Sequence, residues 1–187
     1  VLNAQPSSDV VLSISSGDTG ESISNSPLTF TSANWDTAQT VTVTGVDDDI
    51  IDGTITSTTT ITVVDAISDD NFDSVSDQTV SVTTTDDDVA GFTIAETDGS
   101  TEVNESSTTD TFTVVLDAQP DSDVVITVTS EDTGETTVSP ATLTFTSANW
   151  DAPQTVTATG INDSVDDESQ ITSVTLAIDD QNSDNNF

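Results

Sequence analysis

Carboxylates are the main groups through which this chain could do chemistry. Its 187 residues include 35 aspartates and glutamates but no lysine, arginine, histidine or cysteine, so the formal charge is −35. Crowded carboxylates repel one another in a compact protein, and no side chain of this sequence can neutralise them. Ca²⁺ prefers hard oxygen ligands of this kind. The composition therefore favours binding of divalent cations over other chemistry.

Two acidic clusters follow predicted strands in the first half of the chain. One is a loop that contains Asp47, Asp48, Asp49 and Asp52, and the other is the run Asp86–Asp88. If both strands end at the same pole of a β-sandwich, the two clusters converge and their oxygens can share a Ca²⁺ ion. The alternative interpretation is that both clusters are solubilising loop charges.

Catalysis and several partner classes are poorly supported by this composition. A general base, an activated nucleophile or an oxyanion clamp normally uses His, Cys, Lys, Arg or Tyr, and all five are absent. Carboxylate-pair chemistry such as glycoside hydrolysis remains, but aromatic residues make up only 4% of the chain. We therefore expect no enzyme. Without basic groups we also expect no nucleic-acid binding, and without a long apolar run no membrane insertion.

The chain contains the same nine-residue segment twice. Leu28–Asp36 recurs as Leu143–Asp151, about 115 residues later. A fixed period indicates an array of equal modules, and this period matches a seven-strand sandwich. Alternating apolar residues such as Phe112, Val114 and Leu116 are typical of half-buried strands. The sequence thus predicts an all-β fold of tandem antiparallel immunoglobulin-like β-sandwich modules, each of about seven strands.

The repeat also predicts where the modules begin and end. Module 1 covers residues 1–88 and lacks the opening strands that correspond to 89–114; module 2 covers residues 89–187 and lacks the closing strand that corresponds to 73–88. The alternation of Val41 and Val43 predicts a module 1 strand over Thr40–Thr44. An incomplete sandwich leaves an unpaired strand edge. Either this stretch belongs to a longer array, or a neighbouring chain supplies the strand and builds a fibre by complementation.

The repeated segment resembles a known family. Leu28–Gly53, with its Leu-Thr-Phe, Asn-Trp, Gln-Thr-Val-Thr-Val-Thr-Gly-Val and triple aspartate, is similar to the Calx-β-like repeats of very long bacterial surface and secreted proteins. Thr111–Leu116 with Gln119-Pro120, and the junction Thr85–Asp88, resemble them too. The resemblance implies an immunoglobulin-like sandwich that binds Ca²⁺ at one end, through an early Glu, an acidic loop and a closing acidic run.

Carried over by position, the resemblance assigns metal ligands in both modules. The second module's loop departs from the triple aspartate of the first. The residues implied as Ca²⁺ ligands are Asp47, Asp48, Asp49, Asp52, Asp86, Asp87, Asp88, Glu105, Asn162, Asp163, Asp166, Asp167 and Glu168. As second-tier candidates, whose charges turn solvation explains equally well, we count Asp18, Glu21, Asp132 and Glu135.

The function expected from these patterns is mechanical. We expect a calcium-dependent structural repeat that extends and rigidifies a long extracellular bacterial surface adhesin or matrix protein, on the cell surface or secreted. Its partners would be neighbouring modules of the same protein, identical chains in a fibre, or a glycan or surface target. Two alternatives stay open: a fibre subunit joined by strand complementation, and a glycan- or ice-binding module that uses Trp35 and Trp150 or the threonine row Thr54–Thr62. For those residues an end plug and an exposed strand face are the competing interpretations.

Overall fold

The computed structural model describes residues 1–164 and 168–187, and within them the protein is all-β, as the sequence predicts. Three single turns of 3₁₀ helix, at Asp65–Ile67, Asp70–Phe72 and Thr97–Gly99, interrupt the strands. In the described part of the chain, no helix is long and apolar enough to cross a membrane. The strands are β1 (Val10–Ser16), β2 (Ser22–Ser24), β3 (Leu28–Phe30), β4 (Val43–Gly45), β5 (Ile55–Val63), β6 (Gln78–Thr84), β7 (Phe92–Glu96), β8 (Thr109–Leu116), β9 (Val124–Ser130), β10 (Thr136–Ser139), β11 (Thr142–Phe145), β12 (Gln154–Gly160) and β13 (Val174–Ile178).

The chain divides into two compact units. Unit 1 contains Val1–Asp48 and Asp52–Asp86, and unit 2 contains Asp49–Ile51 and Asp87–Phe187. Three residues of the first acidic loop therefore belong to unit 2. Within that unit, the backbone N–H of Gln119 donates a 2.7 Å hydrogen bond to the carbonyl of Asp49.

Unit 1 is built from two antiparallel sheets, with strand orders β3-β1-β5-β6 and β2-β4. Alternation along β1 turns Val10 and Ile14 inward, and Phe30 of β3 joins them; all three side chains are buried. β4 pairs with β2 along one edge. Its other edge, which faces away from β2, pairs with no strand among the described residues. We call it the open edge of β4.

Unit 2 has the sheets β10-β12-β8-β7 and β11-β9-β13, again antiparallel. Alternate residues of β8, β9, β11 and β12 from both sheets meet in one apolar core. Burial of these side chains is the main stabilising term, at about 1.5–3 kcal/mol for each large one. The buried members of this core are Phe112, Val114, Leu116, Val124, Ile126, Val128, Leu143, Phe145 and Val156.

The two units share one strand register. Val10 pairs with Phe30 between β1 and β3, and Val124 pairs with Phe145 between β9 and β11. These two pairs are the same residues of the repeat. The pairings β1–β5 and β2–β4 recur in the same way as β9–β13 and β10–β12. The sequence repeat is therefore a structural repeat, down to the residues that lie opposite each other.

The units differ where unit 1 lacks a partner strand. In unit 2, β12 runs over Gln154–Gly160 between β10 and β8. The corresponding strand of unit 1, β4, is confined to Val43–Gly45, so the predicted strand over Thr40–Thr44 is only partly formed. The alternation of Val41 and Val43 is the same as in β12, but β4 pairs only with β2, over Val43–Gly45, whereas β12 pairs with both β10 and β8.

One hydroxyl in the interior of unit 1 has no hydrogen-bond partner among the described residues. Thr59 of β5 is 1% exposed, and its Oγ1 is the unsatisfied atom. A buried polar atom without a partner costs free energy because it has lost its water. In unit 2 the repeat places Val174 at the same position, opposite Ser130 as Thr59 is opposite Ser16.

Replacing this threonine with valine should stabilise unit 1. We expect Thr59→Val to raise its free energy of unfolding by about 1 kcal/mol, because the substitution keeps the shape and removes the unsatisfied hydroxyl. Urea denaturation followed by Trp35 fluorescence, in a Trp150→Phe background, measures unit 1 separately. Thr58→Val, on the exposed face of the same strand, is the matched control and should change the value by less than about 0.5 kcal/mol. An equal gain in both variants would contradict the explanation.

Candidate metal centre

A tight turn between β1 and β2 positions Glu21. The side chain of Asp18 accepts a hydrogen bond of 3.1 Å from Gly20 N–H, and its carbonyl accepts one of 3.1 Å from Ser22 N–H. The carbonyl of Glu21 accepts hydrogen bonds from Val46 N–H at 2.9 Å and from Thr84 Oγ1 at 3.2 Å. Glu21 is thus held between the residues that follow β4 and the end of β6, where both predicted acidic clusters begin.

The carboxyl group of Glu21 is surrounded by other carboxylates. Partial burial raises its pKa above the ordinary value of 4.5, and the negative charge of Asp52 raises it further. Asp18 and Asp48 act in the same direction, and Asp52 also shares a side-chain hydrogen bond with Glu21. Like charges this close favour the protonated form of one member. A bound cation would relieve the same repulsion without a proton.

The closing acidic run reaches the same pole of unit 1. The backbone N–H of Gly53 donates a 2.8 Å hydrogen bond to Oδ2 of Asp86, so Asp86 lies beside the residue that follows Asp52. Gly53 has a positive φ of 75°, a conformation that glycine adopts without strain. We call this group of five carboxylates the acidic pole of unit 1: Asp18, Glu21, Asp48, Asp52 and Asp86.

Four other predicted ligands come from the first half of the chain. Asp47 is an exposed residue of unit 1. Asp49, Asp87 and Asp88 belong to unit 2. The first two are exposed and Asp88 is half-buried.

Unit 2 gathers several carboxylates around an open groove of about 1090 Å³. Its lining includes the predicted ligands Glu105 and Glu168, together with Glu102 and the second-tier candidate Glu135. The carbonyl of Glu135 accepts a 2.8 Å hydrogen bond from Ile161 N–H, as the carbonyl of Glu21 does from Val46. Glu135 is therefore the structural counterpart of Glu21.

The remaining predicted ligands of the second loop are only partly described. Asn162 and Asp163 are exposed residues that follow Ile161. Asp166 and Asp167 lie outside the described residues.

The acidic pole of unit 1 and the groove of unit 2 both offer the kind of oxygen donors that Ca²⁺ prefers. They are carboxylate oxygens with backbone carbonyls nearby, and Ca²⁺ takes six to eight such oxygens in a flexible arrangement. Over the described ranges, no three acidic side chains already stand in the arrangement of a finished metal site. The loop side chains of the acidic pole of unit 1 would have to move to close around an ion.

Sequence reasoning missed two buried aspartates, which have a structural role. The carboxylate of Asp69 accepts hydrogen bonds from Ser7 Oγ (2.7 Å), Ser8 N–H (3.1 Å) and Asn71 N–H (3.0 Å), which lower its pKa well below the ordinary value of 3.8. Its counterpart in unit 2 is Asp184. The repeated motif Ser-Asp-Xaa-Asn-Phe, at 68–72 and 183–187, is the signal that could have identified the pair.

Hydrogen bonds also lower the pKa of Asp184. Burial by itself raises the pKa of this carboxyl group, but hydrogen bonds from Asn186 and Ser122 lower it below the ordinary value. Ser122 donates through its backbone N–H at 2.7 Å and through Oγ at 3.2 Å. In each unit this aspartate ties the loop before the first shared strand to the turn at the end of the repeat.

Neutralising Asp69 should weaken unit 1 at neutral pH. We expect Asp69→Asn to lower the melting temperature of unit 1 by about 5 °C or more. The amide NH₂ of asparagine cannot accept the hydrogen bonds that the Asp69 carboxylate receives from Ser7, Ser8 and Asn71. A lowered folded-state pKa contributes stability that is complete at neutral pH and is lost as the pH falls below about 4. The variant should therefore lose this part of the acid sensitivity. Asp70→Asn, which introduces the residue found at the matching position 185, is the control and should leave both properties unchanged.

The two tryptophans occupy matching positions. The carbonyl of Trp35 accepts a 2.8 Å hydrogen bond from Leu2 N–H, and that of Trp150 accepts one of 3.1 Å from Leu116 N–H. In unit 2 the Trp150 side chain is half-buried and packs against the apolar core. This packing favours the interpretation of Trp150 as an end plug over that of a sugar-stacking platform.

The comparisons with known proteins add no relative to these observations. A scan against models of protein families matches none of them, and a search of curated proteins also returns no match.

Proposed function

We propose that this protein is a calcium-dependent structural repeat that extends and rigidifies a long extracellular bacterial surface adhesin or matrix protein. Each unit would be an immunoglobulin-like β-sandwich of about seven strands, of the Calx-β-like kind that the sequence resembles. Modules 1–88 and 89–187 would follow one another in an array, with identical modules as their neighbours. The protein would act outside the cell, without catalysis, and Ca²⁺ would be its resident ion.

The acidic pole of unit 1 carries this proposal. Glu21 shares a hydrogen bond with Asp52, and the charges of Asp18 and Asp48 raise its pKa further. No lysine, arginine or histidine exists anywhere in the chain to compensate them. A fold that gathers carboxylates in this way is destabilised by their repulsion unless a cation enters from outside. Extracellular sites of this kind bind Ca²⁺ at dissociation constants of about 10⁻⁴–10⁻³ M.

Removing the charge of Glu21 should separate repulsion from metal binding. In EDTA at pH 7, we expect Glu21→Gln to stabilise unit 1, because one member of the crowded group loses its charge. With millimolar Ca²⁺, the same variant should gain less stability than the original chain, because a ligand is missing. Urea denaturation followed by Trp35 fluorescence, in the Trp150→Phe background, measures both effects.

The pH dependence supplies a second measurement on the same variant. The folded-state pKa of Glu21 is raised, so its folded form holds a proton more tightly than the unfolded chain. Stability from this group therefore increases as the pH falls from 7 through the folded-state pKa towards 4.5. We expect this increase in the original chain in EDTA and its loss in Glu21→Gln. If Ca²⁺ stabilises the variant as strongly as the original chain, Glu21 is not a ligand.

A second candidate function, a fibre subunit joined by strand complementation, is favoured by the open edge of β4. An unpaired edge is a template for another strand. Sedimentation at high protein concentration with Ca²⁺ present distinguishes the two functions: polymers support the fibre, whereas a monomer leaves the structural repeat of an array.

A further inference from the structure

We propose that the free edge of β6, the side that faces away from β5, is a self-association site. A second copy of this chain docks its own β6 there, antiparallel and related by a two-fold axis at Ser81. The residues that meet are Thr79–Thr83 of each copy. The proposal rests neither on calcium nor on the array of the proposed function, and it specifies which residues of the two copies lie opposite each other.

The free edge of β6 lies at one end of the sheet β3-β1-β5-β6. Among the described residues, β6 pairs only with β5. The strands β7 and β8 have no counterpart among the strands of unit 1, and in unit 2 they belong to the sheet of β12, which corresponds to that of β4. A unit 1 completed in the same way would still have a free edge at β6.

The backbone groups at this edge can be assigned from the neighbouring strand. The carbonyl of Thr58 accepts a 2.8 Å hydrogen bond from Gly17 N–H, so the backbone of Thr58 points towards β1. Neighbouring residues of an antiparallel strand point to opposite sides. Thr59 therefore points towards β6, where it lies opposite Val80. It follows that Val80 points back to β5 and that Ser81 presents its N–H and C=O at the free edge.

The sequence of this edge is symmetric. Thr79-Val80-Ser81-Val82-Thr83 reads the same in both directions about Ser81. An antiparallel pair centred there places Thr79 opposite Thr83 of the second copy, Val80 opposite Val82, and Ser81 opposite its own copy. The outward backbone groups of Thr79, Ser81 and Thr83 then meet each other. Cross-strand pairs of threonine and of other β-branched residues stabilise antiparallel sheets.

The free edge of β6 is also uncharged. Two chains of charge −35 repel each other, but the stretch 78–85 contains no aspartate or glutamate. In the proposed register, the flanking Asp77 lies opposite Thr85 of the second copy, and Asp86 lies opposite Ser76. No carboxylate therefore faces another across the pair, and this edge is a place where two such acidic chains can approach.

Other sheet edges of the protein carry features that block strand pairing. Proteins protect their edges with short strands, prolines and charges. β3 is only three residues long and follows Pro27, Pro140 lies between β10 and β11, and β7 ends on Glu96. β6 is seven residues long and has neither a proline nor a charge. Its edge is left open to a partner.

A two-fold pairing of β6 closes at the dimer. Both copies use the same edge, so no further copy can be added through it. A fibre built through the open edge of β4 would instead keep growing. The interface is one strand wide and belongs to the small, weak class of protein contacts. We therefore expect a reversible dimer that forms at high protein concentration.

Disulfide trapping of Ser81→Cys tests the position of the axis. The chain has no cysteine, so one introduced thiol can bridge only to a second copy. Hydrogen-bonded residues opposite each other in an antiparallel pair have Cα atoms about 5.5 Å apart, which suits a disulfide. During oxidation in EDTA, we expect Ser81→Cys to form the covalent dimer about tenfold or more faster than Thr58→Cys, because docking holds its two thiols together.

Thr58→Cys is the matched control for random collision. Thr58 lies directly opposite Ser81 on the neighbouring strand, and both residues are exposed. In the dimer, however, the two copies of Thr58 would be three strand spacings apart, about 14 Å, which is too far for a disulfide. Equal rates of bridging for the two variants would overturn the proposal.

A mixture of two variants tests the register. Thr79→Cys and Thr83→Cys should bridge to each other, because these positions lie opposite across the pair. Neither should bridge readily to itself, because like positions are about 14 Å apart along the strands. Preferential bridging of either variant to itself would contradict the axis at Ser81.

Sedimentation of the original chain at high concentration supplies a measurement without cysteine. We expect a dimer that Ser81→Pro abolishes, because proline removes a backbone N–H at the free edge, and a sheet edge tolerates proline there. Circular dichroism of Ser81→Pro should show unchanged strand content. A chain that stays monomeric at millimolar concentration, or a dimer that survives Ser81→Pro, would overturn the proposal.

Discussion

Millimolar Ca²⁺ should raise the melting temperature of unit 1 by about 10 °C or more over the value in EDTA. At about 10 mM Ca²⁺, a site with a dissociation constant of about 10⁻⁴ M meets the ion at about 100 times that constant, and an ion that binds only the folded state then stabilises it by about 2.7 kcal/mol. For a domain of this size, each 1 kcal/mol shifts the melting temperature by about 4–8 °C. Relief of the repulsion around Glu21 supplies the physical reason. Trp35 fluorescence in the Trp150→Phe background is the measurement.

The controls distinguish a site from general charge screening. NaCl at equal ionic strength should give only a small part of the increase, because specific coordination needs a divalent ion. The double variant Glu21→Gln/Asp52→Asn should lose most of the calcium response. Asp36→Asn, an exposed carboxylate of the Trp35 loop, should keep it. An unchanged melting temperature of the original chain in Ca²⁺ would refute the calcium-dependent repeat.

Gly160→Ala should destabilise unit 2 severely, by about 3 kcal/mol or more. A Cβ at Gly160 would collide with the carbonyl oxygen of Asn104 and lie 2.8 Å from its carbonyl carbon, and these are backbone atoms that cannot rotate away. The strand beside it is also fixed, since Gly160 N–H donates a 3.0 Å hydrogen bond to the carbonyl of Thr108. Urea denaturation followed by Trp150 fluorescence, in a Trp35→Phe background, measures the loss.

The repeat provides a matched control at Gly45. A Cβ there would meet only Thr84 Cγ2, at the ordinary contact distance of 3.6 Å. We therefore expect Gly45→Ala to change the stability of unit 1 by less than about 0.5 kcal/mol. Equal losses in both variants would mean that strand propensity matters here and that the close approach of Asn104 does not.

Local sequence patterns predict most of the strands in this chain. Alternation of Phe112, Val114 and Leu116 places β8 correctly, and the repeat transfers that information between units. The strand over Thr40–Thr44 is shorter than predicted because alternation indicates which side chains face inward but not whether a partner strand is present. The short strands β2 and β10 carry too little apolar pattern to be recognised.

The candidate site is harder to predict because exposed and organised carboxylates look alike in a sequence. The sequence predicted Asp48, Asp52 and Asp86 of the acidic pole as ligands, but it gave only second-tier weight to Glu21, which lies 26 positions before the start of the acidic loop and at the centre of the pole. Its role depends on hydrogen bonds to Val46 and Thr84, which only the folded chain brings together. Asp69 illustrates the opposite case: it resembles a solvated turn residue but is buried and fully hydrogen-bonded.

The shared register of the two units has a cost during folding. β3 and β11 carry the same Leu-Thr-Phe and meet β1 and β9 through equivalent residues. Either copy can therefore dock on either partner before the chain is complete, and the wrong choice forms a native-like hairpin between repeats. Such mispaired states are kinetic traps of tandem arrays. Sequence differences between equivalent strands, such as Leu12 in β1 and Ile126 in β9, disfavour this mispairing and help each repeat to fold separately.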